Sequence, residues 1–265
     1  MEGHRHSVIS ADGTPIGLLT AGEGPPLLLV HGGMGCIASW EPLWGKLTGQ
    51  WRVTAMDRRG RESSGDTKPY SLSKEYQDVA AVAASLAGAG PVYVFGHSYG
   101  ATCALGAAAG GAPVRRIALY EAAGPQTVPR QWRERVLAMI AGGQAGRAMM
   151  SFLTEVIGLS AERIDELRNA PRSYDVLSIL AATMPREAQA LASVDLPGLA
   201  AAAAPAGAPA LLILGSATPA WAGDITDELH AALPGSRVAA LPGQGHDAID
   251  TAPGLITSLL IEFFG

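Results

Sequence analysis

Ser98 lies at the centre of the pentapeptide Gly96-His97-Ser98-Tyr99-Gly100, which fits the pattern G-x-S-x-G. A fully apolar run, Val92–Phe95, comes before the pentapeptide, and a helical pattern, Ala101–Ala109, follows it. A sharp turn from strand to helix lifts a serine hydroxyl clear of the sheet, and the flanking glycines leave room for that turn. The spacing therefore predicts that Ser98 is a nucleophile.

His246 is the best candidate for the base that a serine nucleophile needs, because a neutral hydroxyl reacts poorly until its proton is removed. His246 ends the loop Gly243-Gln244-Gly245, which follows the apolar run Val238–Leu241. Glycines on a loop past a strand end allow an imidazole to reach over the nucleophile. Taken alone, His246 would be an ordinary surface histidine, and it is the presence of Ser98 that favours the catalytic interpretation.

An ester-cleaving serine also needs donors for the negative oxygen that forms during attack. The segment His31-Gly32-Gly33-Met34-Gly35 directly follows the apolar run Leu27–Val30, so its backbone N–H groups are free to point into a pocket. We predict that the amides of Gly33 and Tyr99 bind this oxygen. His31 is expected to brace the loop.

The elements that must position these residues alternate between short apolar runs and helical patterns, which predicts an α/β fold with a mostly parallel sheet flanked by helices. Residues 125–205 break the alternation with helical periodicity alone. We therefore expect a core of residues 1–124 and 206–265 and a helical insertion of residues 125–205. The predicted strands are Ile16–Ala21, Leu27–Val30, Arg52–Met56, Val92–Phe95, Ile117–Tyr120, Leu211–Leu214 and Val238–Leu241.

Inside the insertion the periodicity predicts five helices, and the alanine-rich segment Leu199–Pro209 is expected to be a surface connector. The predicted helices are Pro129–Ala141, Gln144–Ile157, Ala161–Asn169, Tyr174–Thr183 and Arg186–Ser193.

Composition excludes several other classes of protein. Of the 265 residues 48% are apolar and 16% are charged, the net charge is -5, and no dense cluster of Lys and Arg suggests nucleic acid or anionic lipid as a partner. The two cysteines make no disulfide framework, and neither a signal-peptide pattern nor a membrane-spanning run is found. We expect a cytoplasmic enzyme, monomeric or homodimeric, with a small-molecule substrate and no metal.

Four segments together resemble the α/β-hydrolase superfamily, in the branch of esterases and lactonases that carry a helical cap. They occur in the family's order and spacing over nearly the whole chain: His31-Gly32-Gly33, Asp57–Ser63, Gly96–Gly100 and Gly243–His246. The resemblance implies an eight-stranded sheet, a cap over the active site and no cofactor.

The acid that should orient His246 departs from the family's pattern. The family usually places an Asp after the strand that follows the cap, and here that segment reads Leu214–Pro219, with Thr218 near the expected position. Glu121 is the preferred replacement, because it ends the strand Ile117–Tyr120 at the sheet edge where the site should lie, as in some haloalkane dehalogenases. Asp224 is the second candidate. Asp247 is expected to point away from the His246 ring and Asp250 to be structural, and a Ser–His dyad without an acid stays open.

Apolar side chains are expected around Ser98, although methionines at helical spacing are more often packing residues. We predict a pocket for a hydrophobic substrate lined by Met34, Cys36, Trp40, Met149, Phe152 and Trp221.

The predicted activity is hydrolysis of an ester, lactone or thioester through an acyl-enzyme on Ser98. The same fold hosts C–C bond hydrolases, lyases and cofactor-free peroxidase-like enzymes, and fold alone does not choose among them. A non-catalytic ligand-binding protein is a third alternative. The Ser at the elbow disfavours dehalogenases and epoxide hydrolases, which carry an Asp there.

Overall fold

The computed structural model describes residues 1–169, 183–204 and 207–265. Its eight strands form one sheet in the order β1-β2-β4-β3-β5-β6-β7-β8. β2 runs antiparallel to β1 and β4, and the other neighbouring pairs are parallel, as an α/β fold requires. The strands are β1 (His4–Ile9), β2 (Pro15–Ala21), β3 (Pro26–Val30), β4 (Arg52–Met56), β5 (Val92–His97), β6 (Val114–Tyr120), β7 (Ala210–Gly215) and β8 (Arg237–Leu241).

Helices cover both faces of this sheet, and a group of them is inserted between β6 and β7. In the described residues the helices are α1 (Glu41–Thr48), α2 (Leu72–Leu86), α3 (Tyr99–Ala109), α4 (Arg130–Ala141), α5 (Ala145–Ser151), α6 (Ala161–Asn169), α7 (Met184–Leu191), α8 (Leu196–Ala203), α9 (Ala220–Ala232), α10 (Ala248–Thr251) and α11 (Pro253–Phe264). None of these helices is long and apolar enough to cross a membrane.

The central strands are apolar without alternation because both faces of the sheet are covered. In β3, Leu27 and Leu29 belong to the core beneath α1 and α11, whereas Leu28 and Val30 belong to the core beneath α2 and α3. All four side chains are fully buried. The sheet is therefore a rigid base from which the loops at its edge project.

The inserted helices, α4 to α8, follow the sequence pattern closely where they are described. α4 and α6 match the predicted helices Pro129–Ala141 and Ala161–Asn169, while the prediction at 174–183 lies almost wholly outside the described residues. The helix predicted at Gln144–Ile157 is divided, since α5 ends at Ser151 and a π-helical turn follows it over Phe152–Val156. The limits of the insertion as a separate unit stay a prediction.

The expected connector at Leu199–Pro209 is wrong for its first part, where α8 forms instead. Asp195 caps this helix, and its carboxylate accepts a hydrogen bond from the Gly198 amide at 2.9 Å. Alanine has the highest helix propensity of all residues, and α8 packs on α3 with Ala200 fully buried. Low sequence complexity here therefore reflects close helix packing.

The carboxyl ends of the parallel strands meet at one edge of the sheet. β3 and β5 are neighbours there, with β4 on one side and β6, β7 and β8 on the other. The chain reverses the direction of its crossovers between β3 and β5, and open α/β sheets bind ligands at this point. The loops after β3, β5, β6 and β8 carry the residues that the sequence singled out.

We predict that Gly100→Ala destabilises the protein because two strand carbonyls lie against Gly100. A β-carbon at position 100 would lie 2.1 Å from the Val30 oxygen and 2.4 Å from the His31 oxygen. The free energy of unfolding in urea should fall by about 1–3 kcal/mol. Gly223→Ala in α9 is the control, because no described atom outside the neighbouring backbone of its own helix lies within 4 Å of the added carbon, and it should be neutral or stabilising. Equal unfolding midpoints for the two variants would contradict the close approach.

Candidate active site

Ser98 occupies the turn between β5 and α3 in a backbone conformation that non-glycine residues rarely adopt, with φ 54° and ψ -121°. Such strain persists only where the surroundings enforce it. Here the Ser98 amide donates to the Tyr120 carbonyl at 2.8 Å, and the Ser98 carbonyl accepts from the Ala123 amide at 3.2 Å. Gly96 is also required, because a β-carbon there would lie 2.6 Å from the α-carbon of Ala101. The turn has the geometry of a nucleophile elbow.

His246 and Glu121 are joined by a short hydrogen bond. The Nδ1 atom of His246 lies 2.5 Å from Oε2 of Glu121, and the two side chains are 3% and 0% exposed. Nε2, on the other side of the ring, is buried and has no hydrogen-bond partner in the part of the chain that is described. Buried polar atoms are nearly always paired, so this nitrogen is available for a reaction partner.

Glu121 is held in place by donors from the end of β7. Its Oε1 accepts from the Gly215 amide at 2.8 Å, and its Oε2 accepts from the Thr218 hydroxyl at 2.9 Å. The residue itself has a φ of 44°, which turns the chain sharply as β6 ends. Thr218, which stands near the position where the family's acid was expected, therefore helps to orient the glutamate.

The other acids considered for this role lie elsewhere. Asp224 is on the exposed face of α9. Asp247 and Asp250 form ion pairs with Arg163, at 3.2 Å and 3.4 Å. Of these acids, Glu121 is the one that the structure brings to His246.

The side chains of Tyr120 and His97 hold the loop that carries His246, and no sequence pattern singled out Tyr120 for this role. The Tyr120 hydroxyl donates to the Gly245 carbonyl. His97 Nε2 donates to the His246 carbonyl at 3.1 Å, and the His97 ring stacks on Tyr120. Burial and the neighbouring His246 hold the pKa of His97 well below its ordinary value. His97 is thus a neutral brace beneath the elbow.

The two amides predicted to bind an oxyanion belong to the loop after β3 and to the first residue of α3. Neither the Gly33 nor the Tyr99 N–H donates to an acceptor within the described ranges. The loop lies against Ser98, because a β-carbon on Gly32 would lie 3.0 Å from Cβ of Ser98.

His31 braces this loop, as expected. Its Nδ1 donates to the Gly32 carbonyl at 2.9 Å, and its Nε2 accepts from the Arg58 amide at 3.0 Å. Burial, together with Arg58 and Arg61, keeps the pKa of His31 well below its ordinary value. The ring is therefore neutral and both of its nitrogens are engaged.

A cavity of about 970 Å³ opens beside Ser98 and His246, between the strand ends and the inserted helices. Four of the predicted pocket residues line it, namely Met34, Cys36, Trp40 and Phe152. Further apolar lining residues come from the π-helical turn, the segment between it and α6, α6 itself and α10, and they include Leu153, Ile157, Leu159, Leu167 and Ile249.

Met149 and Trp221 are corrections to the predicted pocket, since neither is among the described lining residues. Met149 is fully buried within the packing of α5. Trp221 donates its indole N–H to the Val156 carbonyl at 2.8 Å and meets the His246 ring edge-on, with 5.2 Å between ring centroids. Trp221 therefore packs against both the His246 ring and the π-helical turn.

The charged part of the cavity wall is dominated by carboxylates. Arg163 is the one Lys or Arg among its described lining residues. Its guanidinium is paired with Asp247, Asp250 and, at 2.9 Å, Glu166. No three His, Cys, Asp or Glu side chains in the described ranges are grouped so that they could share a metal ion.

Comparison with solved structures finds the same fold over the whole chain. An α/β hydrolase from Sphaerobacter thermophilus is 34% identical with a TM-score of 0.83, covering 98% of this chain and 100% of that one. An esterase from Exiguobacterium antarcticum (20% identity, TM-score 0.80, 99% of both chains) and the enol-lactonase from Burkholderia xenovorans (20%, 0.79, 98% and 99%) share the fold.

A comparison with curated protein sequences found no significant match. The sequence profile of the alpha/beta hydrolase family, by contrast, matches residues 27–257, which span the sheet from β3 onward and all the residues of the site. The chain belongs to the α/β-hydrolase family.

Proposed function

We propose that this α/β hydrolase cleaves a carboxylic ester, lactone or thioester of a small, largely hydrophobic substrate through an acyl-enzyme on Ser98. The observation that carries the proposal is the state of His246. One of its ring nitrogens is tied to Glu121, while the other is buried, unpaired within the described residues and beside the cavity that Ser98 also lines. An imidazole held in this way is suited to take a proton from a serine hydroxyl.

In the acylation half-reaction Oγ of Ser98 attacks the carbonyl carbon, and its proton passes to Nε2 of His246. Glu121 stabilises the imidazolium that results. The carbonyl oxygen becomes negative and accepts hydrogen bonds from the Gly33 and Tyr99 amides. The intermediate then collapses, the bond to the leaving group breaks, and His246 gives the proton to the departing oxygen or sulfur.

In the deacylation half-reaction a water molecule replaces the leaving group. His246 removes a proton from this water as its oxygen attacks the acyl carbon, and the same two amides hold the second oxyanion. Collapse of this intermediate returns the proton to Ser98 and releases the carboxylic acid. The enzyme is then in its starting state.

The composition of the cavity wall supports the proposal that the substrate is uncharged. Most of its described side chains near Ser98 are apolar, including Met34, Phe152 and Leu153. Arg163, the lining cation, is already satisfied by carboxylates. A substrate carboxylate would thus lose its hydration without gaining a partner, which is costly.

Ser98 should be labelled covalently by a fluorophosphonate, since this reagent phosphonylates activated serines. Mass spectrometry of the digested protein should place the adduct on the peptide that contains Ser98. The Ser98→Ala variant, with an unchanged circular dichroism spectrum, should not react. A folded wild-type protein that resists the reagent under conditions that label a control esterase would overturn the proposal.

Glu121→Gln should lower kcat by roughly 10³–10⁴-fold, because the amide that replaces the carboxylate cannot stabilise an imidazolium. KM for the same ester should change little. Asp224→Asn removes a carboxylate from the exposed face of α9 and should leave both constants unchanged. Steady-state kinetics on purified variants measures this difference. A stronger loss in Asp224→Asn than in Glu121→Gln would move the acid to position 224.

Phenyl hexanoate should be a better substrate than the monophenyl ester of adipic acid, which has the same chain length and a terminal carboxylate. An unpaired buried polar group costs about 1–3 kcal/mol, so kcat/KM should differ by roughly tenfold or more. Ser98→Ala supplies the background rate for each ester. Equal kcat/KM values would show that the cavity accepts a carboxylate.

A further inference from the structure

A buried guanidinium supports the loop that carries Gly33. Nη1 of Arg58 donates to the Gly32 carbonyl at 3.1 Å, and the Arg58 side chain is 0% exposed. The Gly32–Gly33 peptide is trans and planar, so its N–H points away from its carbonyl oxygen. A donor that holds the Gly32 carbonyl therefore fixes the direction of the Gly33 amide.

The same guanidinium also packs on the residue that carries the second amide. The central carbon of the Arg58 guanidinium lies 4.1 Å from the centroid of the Tyr99 ring. The Tyr99 hydroxyl is 2.5 Å from the hydroxyl of Tyr70, which in turn donates to Glu75 at 3.0 Å. One buried cation thus contacts the supports of both predicted oxyanion donors.

Two carboxylates, each from a different helix, hold Arg58 in this position. Glu75 of α2 accepts from Nε at 3.1 Å and from Nη2 at 2.7 Å. Glu187 of α7, an inserted helix, accepts from Nη2 at 3.0 Å. A guanidinium has five N–H groups in a fixed plane and can serve a carbonyl and two carboxylates together, whereas a lysine has a single nitrogen.

Arg59, the next residue, is a second buried arginine that pairs with α2 but does not contact the loop that carries Gly33. It is also 0% exposed and also makes a bidentate pair with α2, through Nε and Nη2 to Asp78 at 2.7 Å each. Its Nη1 donates to Asp12 at 3.0 Å. Among the described residues it makes no hydrogen bond to residues 31–35. The two adjacent arginines are alike in side-chain exposure and in their bidentate pair with α2, whereas Arg58 contacts the loop, the Tyr99 ring and Glu187 and Arg59 pairs with Asp12.

We propose that Arg58 is a positioning residue for the oxyanion-binding amides: by holding the Gly32 carbonyl it directs the Gly33 N–H toward the substrate carbonyl. The proposal rests on the hydrolase function proposed above. Arg58 touches neither the substrate nor the reacting atoms in this account. Its effect should therefore appear in the stability of the transition state more than in substrate binding.

The test compares Arg58→Lys with Arg59→Lys in the full-length protein. Both variants keep a cation beside α2, and Arg58→Lys alone loses the second nitrogen that reaches the loop. We would measure kcat and KM for phenyl hexanoate, and Ki for an alkyl trifluoromethyl ketone, which adds to a serine as an anionic hemiketal. Fluorophosphonate titration of Ser98 would count the competent sites in each sample.

Arg58→Lys should lower kcat per titrated site by about tenfold to hundredfold, which is less than the roughly 10²–10³-fold loss for a removed oxyanion donor because the Gly33 amide is misdirected and not removed. It should raise Ki for the ketone by a similar factor and change KM by less than about threefold. Arg59→Lys should lower the melting temperature while kcat and Ki stay within about threefold of wild type.

If Arg58→Lys does not fold, the double variant Arg58→Gln/Glu75→Gln removes the ion pair with α2 as a unit. Its control is Arg59→Gln/Asp78→Asn. The first should lower kcat and raise Ki, and the second should leave both constants within about threefold of wild type.

A wild-type protein that hydrolyses the ester, together with arginine variants that behave alike in kcat and Ki, would overturn the role of Arg58 and leave the proposed function intact. A wild-type protein that neither hydrolyses the ester nor reacts with fluorophosphonate would overturn both.

Discussion

The hydrogen bond between Glu121 and His246 is the contact on which the rest of the site depends. It joins the end of β6 to the loop after β8, across the end of β7, at 2.5 Å between two buried side chains. A buried imidazole that is to gain a proton needs an anion fixed beside it. The last residue of β7, Gly215, and Thr218 in the turn after it donate hydrogen bonds to that anion. The same bond sets the direction in which the free nitrogen of His246 points.

Buried charges around Arg58 support the loop that carries Gly33. Burying ion pairs costs desolvation energy, and well-packed apolar residues often stabilise a protein as much or more. What the Arg58 guanidinium adds is direction, because its planar fork binds Glu75, Glu187 and the Gly32 carbonyl at once. Glu187 belongs to an inserted helix, so the packing of that helix and the loop beside Ser98 are linked through one side chain.

Sequence reasoning succeeded where the signal is local. Ser98 and its glycines carry the elbow in one pentapeptide, and the strand runs follow from burial on both faces of the sheet. The contact between Glu121 and His246 can be anticipated from the sequence because Glu121 ends a strand at the edge that carries the site. Thr218 was noted as standing near the expected acid, yet its hydrogen bond to Glu121 depends on how β6 and β7 pair. Hydropathy likewise does not separate Met149, which is in the interior, from Phe152, which faces the cavity.

A quenched-reaction mass measurement tests most directly whether acyl transfer occurs at Ser98. Wild-type protein would be mixed with a phenyl ester, quenched in acid within a single turnover, digested and weighed. We predict that the peptide containing Ser98 gains the mass of the acyl group and loses it at the rate at which the carboxylic acid appears. Turnover of the ester with no acyl adduct on that peptide at any time would contradict the account.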